Sequence, residues 1–271
     1  MDKLLFGISG IPLGNGEKFN YASGIEYLSS IGLDAMELPF VRSVNVTNKN
    51  RETIIKMKEK YNFYLSAHGS YYVNLNADEE EKIYKSKERI LKGAEALASV
   101  GGRSLVFHAG YYLKASKEDT LDKIKNELKT LPKELVTYRL ETTGKASQFG
   151  DIKELVDIAK TVSGCNICID FSHIHARGVG LLKEYRDFAE ILEYVGEELG
   201  RNALEDLHVH LSGINYTDKG ERNHLPLSES DFNIKACLKA FVDYDVKGCI
   251  ICESPILEND ALYMKDLYNS L

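Results

Sequence analysis

The sequence predicts an α/β fold, a single (β/α)8 TIM barrel in which residues 1–271 form one domain. Three observations lead there. Short apolar runs of β type alternate with amphipathic helical patterns along the whole chain. There are eight such runs, the strand count of a barrel. Six of the seven histidines lie in the last residues of these runs or just beyond them. In a (β/α)8 barrel those ends converge on one mouth, where active sites are built.

The strand-like runs are Leu4–Ser9, Ala35–Phe40, Phe63–His68, Ser104–His108, Thr137–Thr142, Asn166–Phe171, Leu207–Leu211 and Cys249–Glu253. Of the helical patterns the clearest is Glu79–Val100, where Ile83, Ile90, Leu91, Ala94 and Leu97 form one stripe. The others are Glu52–Tyr61, Leu121–Leu131, Ile152–Val162, Tyr185–Leu199, Ile234–Tyr244 and Ala261–Tyr268. Gly101-Gly102, Gly164 and Gly248 stand where helices need a left-handed cap. The competing architecture is an open doubly wound sheet, which usually carries a phosphate loop after its first strand. GIPLGNG at residues 10–16 has neither nucleotide-loop spacing and is expected to be a flexible loop over the barrel mouth.

Composition narrows the function. The chain is 44% hydrophobic and 28% charged, with a net charge of −7, which argues against a generally basic coat for nucleic acid. A site holding divalent cations would invert that field locally. No apolar run reaches the roughly 18 residues of a membrane span, and the apolar stretch of MDKLLFGISG is too short for a signal peptide. A cytoplasmic, monomeric protein is expected. Cys165 and Cys168 form one C-x-x-C, Cys249 and Cys252 another, the spacing of zinc knuckles and redox pairs. Both lie inside strand-like runs, where residues three apart point to opposite faces, so buried strand cysteines are expected.

The strand ends carry the chemistry. They read SAHGS with His68, VFHAG with His108, RLETT with Glu141, CIDFSH with Asp170 and His173, HVHLS with His208 and His210, and CICES with Glu253. Singly, each fits a hydrogen-bonded structural residue. Together, burying three carboxylates in one cavity without cations costs several kcal/mol each or forces protonation. Imidazole mixed with carboxylate suits zinc or manganese. His68 and His108 with one carboxylate make one shell, and Asp170, His210 and Glu253 another. Glu141, from the strand between, is placed to bridge them. His173 points further out, toward His224 in the long loop SGINYTDKGERNHLPL. A bridged metal pair suits in-line phosphoryl displacement.

With SAHGSYYVNLN, VFHAG, ETTGKASQFG, CIDFSHIHARG, HLSG, NHLPL and ICES in that order, the sequence resembles the endonuclease IV family of apurinic/apyrimidinic (AP) endonucleases. The resemblance runs from strand three to strand eight. It implies a xylose-isomerase-like barrel with three zinc ions. His68, His108 and Glu141 would hold the first, Glu141, Asp170, His210 and Glu253 the second, and His173 and His224 the third. Glu141 is the implied catalytic bridge. Tyr71 would meet the DNA backbone at the damaged site. The implied reaction is hydrolysis of the phosphodiester 5′ to an abasic site in double-stranded DNA, without a covalent intermediate.

Three departures bear on this. The family has an aspartate two residues before the histidine that matches His224, and here that position is Arg222. Glu221 or Asp218 would have to substitute, or the third metal is weak or absent; the Arg222 guanidinium itself suits a phosphate of DNA. The Gly-rich stretch after the fifth strand's glutamate reads TTGKASQ, and Ile8 replaces the histidine usual in the first strand. His208 is extra and is expected to be a core hydrogen-bonder. The loops beyond the strands hold basic and aromatic residues, among them Arg42, Lys145, Arg177, Tyr71 and Tyr111, while DEEEK at 78–82 lies in a helix. That contrast suits contacts to a nucleic-acid backbone.

Two other readings compete. A sugar isomerase or epimerase on the same barrel would need one metal, held by Glu141, Asp170, His210 and Glu253. A non-catalytic binder of damaged DNA would explain the altered third site. Two or three zinc ions per chain favour the endonuclease, and one manganese or cobalt favours the isomerase or epimerase.

Overall fold

The computed structural model describes residues 1–271, the side chain of Asn15 excepted. Eight parallel strands close into a barrel. They are β1 (Leu4–Ser9), β2 (Ala35–Pro39), β3 (Tyr64–His68), β4 (Ser104–Phe107), β5 (Thr137–Glu141), β6 (Cys165–Asp170), β7 (Leu207–Leu211) and, last in the chain, β10 (Gly248–Cys252). Each pairs with the next, and β1 closes the ring on β10, with Ile8 opposite Cys252. Between β7 and β10 the chain forms an antiparallel hairpin outside the barrel, β8 (Gly213–Thr217) and β9 (Gly220–Leu225).

The helices are α1 (Tyr21–Ser30), α2 (Arg51–Lys60), α3 (Glu80–Ala98), α4 (Lys117–Leu128), α5 (Ile152–Thr161), α6 (Phe171–Arg177), α7 (Tyr185–Leu199), α8 (Arg201–Leu204), α9 (Ile234–Asp243) and α10 (Glu258–Asn269). Caps set several of their starts. Asn20 and Ser23 form a reciprocal capping box on α1, and Asp151 and Glu154 another on α5. The expected stripe of α3 faces the barrel: Ile83, Ile90, Ala94 and Leu97 are buried, while Leu91 is half-buried. Truncating a residue as deeply set as Leu97 to alanine costs about 2–5 kcal/mol.

Strand alternation separates two interiors. Phe6, Ile8, Leu38, Leu140, Ile169, Val209, Ile250 and Cys252 point outward into the main apolar core under the helices. The lumen instead holds Glu37, Ser66, Arg139, Cys168, His208 and His210, all buried. Many barrels fill this space with layers of branched aliphatics. Here only a small apolar floor of Ala35, Tyr64, Cys249 and Ile251 remains. Beside it Arg139 bonds Ser104 Oγ at 2.9 Å and reaches Asp206 at 2.6 Å. Gly7 lets β1 approach β2, since a Cβ there would meet the Ala35 carbonyl oxygen at 2.2 Å.

Three expectations change. The stretch expected to be a flexible loop over the mouth is held down: the Glu258 carboxylate accepts the amides of Leu13 at 3.1 Å and Gly14 at 2.7 Å. The expected loop after strand seven is mostly the β8–β9 hairpin, turning at Asp218-Lys219 with Gly220 at φ +91°. Three helices, α1, α6 and α8, lie outside the expected patterns; α6 has seven residues and α8 four, too few to show a helical stripe. No helix among the described residues is long and apolar enough to cross a membrane.

Candidate metal centre at the barrel mouth

The strand ends deliver their side chains to one cavity of about 390 Å³ at the C-terminal end of the barrel. His68, His108, Glu141, His173, His224 and Glu253 all line it. A larger groove of about 670 Å³ lies at the opposite, N-terminal end and contains no such grouping. Glu141 is central. Its Oε2 lies 2.9 Å from His68 Nε2 and 3.4 Å from His108 Nε2. Its Oε1 lies 3.2 Å from both His210 Nδ1 and His173 Nδ1. His210 Nδ1 is also 3.6 Å from Glu253 Oε1.

Donor atoms gather into sets compact enough for metal ions. One is His68, His108 and Glu141, a second Glu141, Asp170, His210 and Glu253, and a third Asp170, His173 and His224. Each site residue expected from the sequence to be a ligand is therefore at the mouth. Asp170 does two jobs. Its Oδ1 caps α6 by accepting the His173 amide at 2.7 Å, which fixes where His173 begins its turn. Its Oδ2 is buried with no hydrogen-bond partner. A carboxylate oxygen so placed, beside three further acidic or imidazole donors, fits a cation.

Electrostatics agree. Burial alone would raise the Glu141 carboxyl, but His108, His210 and His173 outweigh it and hold it well below the usual range. Burial, reinforced by Glu141 and Glu253 and partly offset by His173, pushes Asp170 up to about 6. Burial also acts on the imidazoles, and for His68 it is overcome by the Glu141 hydrogen bond and charge, giving about 9. Asp170 and Glu141 overcome it in His173, which rises well above the ordinary imidazole range. In His108 burial dominates and lowers the value to about 4.

The outer edge of the cluster answers the question posed by Arg222. β9 carries a bulge there: Asn223 pairs with Asn215, but Glu221 pairs with Tyr216, leaving Arg222 extra. The bulge turns Glu221 to the face of His224. Glu221 Oε2 lies 3.6 Å from His173 Nε2, and His224 Nε2 lies 3.4 Å from the same atom. Asp218 sits in the exposed hairpin turn. Arg222 is exposed and does not line the cavity. Gly144 is needed beneath this edge, because a Cβ there would meet Glu221 Cβ at 2.5 Å.

At the rim, Tyr71 is 61% exposed with its ring 5.8 Å from that of His68. Arg177, expected to belong to a basic surface, instead braces the loop after β5: it donates to Thr143 Oγ1 at 2.7 Å and to the Lys145 and Gln148 carbonyls at 2.6 and 3.0 Å. The cysteine pairs diverge as strand alternation requires. Cys168 and Cys249 face the lumen, while Cys252 and Cys165 pack on the outer core. Cys168 does stand near His208 and His210, a grouping across neighbouring strands that C-x-x-C spacing does not reveal. Sequence reasoning missed Glu37, which lies beneath His210; AMELPF reads as an ordinary strand, and one carboxylate in it gave no signal.

Fold and site together define a parallel barrel whose mouth gathers metal-competent side chains around one shared glutamate. The chain belongs to the xylose isomerase-like TIM barrel family, which it matches over residues 25–268. It is 45% identical to an uncharacterized protein of Methanocaldococcus jannaschii, across 99% of this chain and 98% of that one. It is 32% identical to a probable endonuclease 4 of Phocaeicola vulgatus, across 63% of this chain and 62% of that one. Endonuclease IV from Thermus thermophilus shares the fold with a TM-score of 0.74 at 19% identity, covering 97% of this chain and 98% of its own. A D-tagatose 3-epimerase-like protein also reaches 0.74, at 20% identity, covering 98% and 96%. At these identities the two structures speak for the fold and leave the chemistry to the site.

Proposed function

We propose that the protein is a zinc-dependent AP endonuclease, cutting the phosphodiester 5′ to abasic sites in double-stranded DNA. The observation that carries this reading is the number of donors. A single metal would be satisfied by Glu141, Asp170, His210 and Glu253, yet His68, His108, His173, His224 and Glu221 converge on the same cavity. The likeness to the probable endonuclease 4 of Phocaeicola vulgatus supports it.

In this reading His68, His108 and Glu141 hold one ion, and Glu141, Asp170, His210 and Glu253 a second. His173, His224 and Glu221 hold the third, so that Glu221 replaces the missing aspartate. When bound, the ions polarise the phosphoryl group and acidify water. Glu141, with one oxygen toward His68 and His108 and the other toward His210 and His173, would be shared by the first two sites. His68 and His173 keep their outer nitrogens on backbone carbonyls, Gly69 O and Thr142 O, each at 3.0 Å, which aims the other nitrogen inward. Tyr71 stands where an extruded sugar would enter, and Arg222 on the exposed bulge is offered to the DNA backbone.

The test is a plasmid carrying abasic sites, incubated with the purified protein with and without chelator. Nicking confined to abasic plasmid and abolished by chelation is expected, and its absence across zinc and manganese would refute the proposal. The epimerase reading has one specific support: Glu141, Asp170, His210 and Glu253 already form a complete donor set for a single metal. Elemental analysis separates the two: two or three zinc ions per chain support the endonuclease, and one manganese or cobalt supports the epimerase.

A further inference from the structure

His210 is anchored differently from the other histidines at the mouth. His68, His173 and His224 each rest Nδ1 on a backbone carbonyl, those of Gly69, Thr142 and Glu253, at 3.0, 3.0 and 3.1 Å. Their Nε2 atoms face the cavity. His210 is inverted. Its Nδ1 faces Glu141 and Glu253, and its Nε2 points down the lumen to Glu37 Oε1 at 3.0 Å. The contact is one of charge and proximity: neither Glu37 Oε1 nor His210 Nε2 makes a hydrogen bond among the described residues, and each is buried facing the other. The Glu37 carboxylate below and the Glu141 hydrogen bond above, rather than the backbone, therefore hold this ring.

Glu37 is itself fixed from below. It is fully buried on β2. Its Oε2 accepts the Ser66 hydroxyl at 2.8 Å and lies 3.0 Å from His208 Nε2. His208 Nδ1 in turn lies 3.2 Å from Cys249 Sγ. The core hydrogen bond expected of His208 is thus made to Glu37. An ionised carboxylate can only accept hydrogen bonds, and a neutral imidazole has one N–H and one lone pair. With Glu37 below, the His210 proton belongs on Nε2, and the Nδ1 lone pair is turned toward Glu141, Asp170 and Glu253. The negative charge beneath the ring also makes that lone pair a stronger donor.

We infer that Glu37 is the positioning residue of His210: with His208 and Ser66 holding it, it locks the ring and its tautomer so that Nδ1 faces the metal-competent cluster. The inference rests on the reading of that cluster as a metal centre but not on the DNA reaction. The test is zinc affinity of metal-stripped protein, measured against a competing chromophoric chelator. Glu37→Leu should weaken one zinc per chain by about 10–100-fold, the usual effect of losing a ligand's outer partner, and leave the other ions as tightly held. Circular dichroism checks the fold, and if that variant does not fold, Glu37→Gln carries the test. Its amide offers one acceptor and one donor, so it cannot accept from both His208 and His210, and a smaller loss of zinc affinity is expected.

A second readout is one that a purely structural role would not move. Nitrogen-15 spectra of histidine-labelled, metal-free protein at a pH where the ring is neutral should show the His210 proton on Nε2 in wild type, as in zinc-loaded wild type, and a mixture with Nδ1–H in Glu37→Gln. Wild-type zinc affinity in a folded Glu37→Leu or Glu37→Gln, or a His210 proton on Nδ1 in zinc-loaded wild type, would overturn the inference. The outcomes separate from those of the proposed function. Zinc loss in the variants with no nicking by wild type keeps Glu37 and removes the endonuclease, whereas nicking by wild type with unchanged zinc in the variants does the reverse.

Discussion

Glu221 and His224 are three residues apart on one strand and still face the same side, because the bulge at Arg222 absorbs the odd residue. In an unbroken strand, residues three apart point to opposite faces. The partner positions make the shift visible: Tyr216 opposite Glu221 and Ile214 opposite His224 are two apart. The register thus returns a carboxylate to the edge of the cluster, although position 222 holds an arginine. Glu221→Ala should remove one zinc of the three that elemental analysis finds after dialysis, while Arg222→Ala keeps all three. Unchanged zinc in Glu221→Ala would mean that the carboxylate is a bystander.

Glu141 turns its two oxygens to different donor sets, His68 and His108 on one side and His210 and His173 on the other. Glu141→Gln keeps the shape and removes the charge. Nicking of abasic plasmid should fall by more than about 100-fold, since losing even an outer partner of a ligand costs about 10–100-fold. The circular dichroism spectrum should stay that of wild type. Activity near the wild-type level would refute the bridge.

The barrel and most of the cluster could be read from the sequence because both obey short rules. A period of two marks strands, and their ends converge, so His68, His108, Glu141, Asp170, His210 and Glu253 could be placed together without coordinates. What escaped depends on pairing. The bulge at Arg222 exists only relative to β8, and the polar residues of β9 read as loop even though Asp218-Lys219-Gly220 is hairpin-turn chemistry. Glu37 escaped for a related reason. Its importance lies in His208 and His210, which are more than 170 positions away in the chain and adjacent only once the barrel closes.

Metal binding should release protons. In metal-free protein burial works against the charged rings, but the carboxylates raise His68 to about 9 and lift His173 well above the ordinary imidazole range. At pH 7.5 the His68 ring carries a proton that a metal must displace. Zinc affinity should therefore climb as pH rises from 6 toward about 9. Calorimetric titrations in buffers of different ionisation heat should show net proton release. The linkage has a definite sign for stability as well. The His68 value is raised on folding, so its contribution is complete below about 6.5 and disappears as pH rises through about 9. The melting temperature of chelator-stripped protein should fall across that window, and a melting temperature that rises there would contradict the assignment.

The cysteines give the last prediction. Cys165 and Cys252 lie on the outer side of their strands, packed with the apolar core, while their C-x-x-C partners face the lumen. Burial raises all four thiols, to about 12 for Cys165 and beyond the ordinary range for Cys168 and Cys252, so none is poised as a thiolate at neutral pH. Cys165→Ser and Cys252→Ser should leave the zinc count unchanged; Cys252→Ser should cost some stability, because a hydroxyl replaces a sulfur in a fully apolar setting. Cys168→Ser is the sharper variant. Its sulfur stands with His208 and His210 below the mouth, where Glu37 already occupies both rings. If Glu37 is their partner, elemental analysis of Cys168→Ser should return the wild-type zinc count. The loss of one zinc in that variant would move a metal from the mouth into the lumen and make Cys168 its ligand.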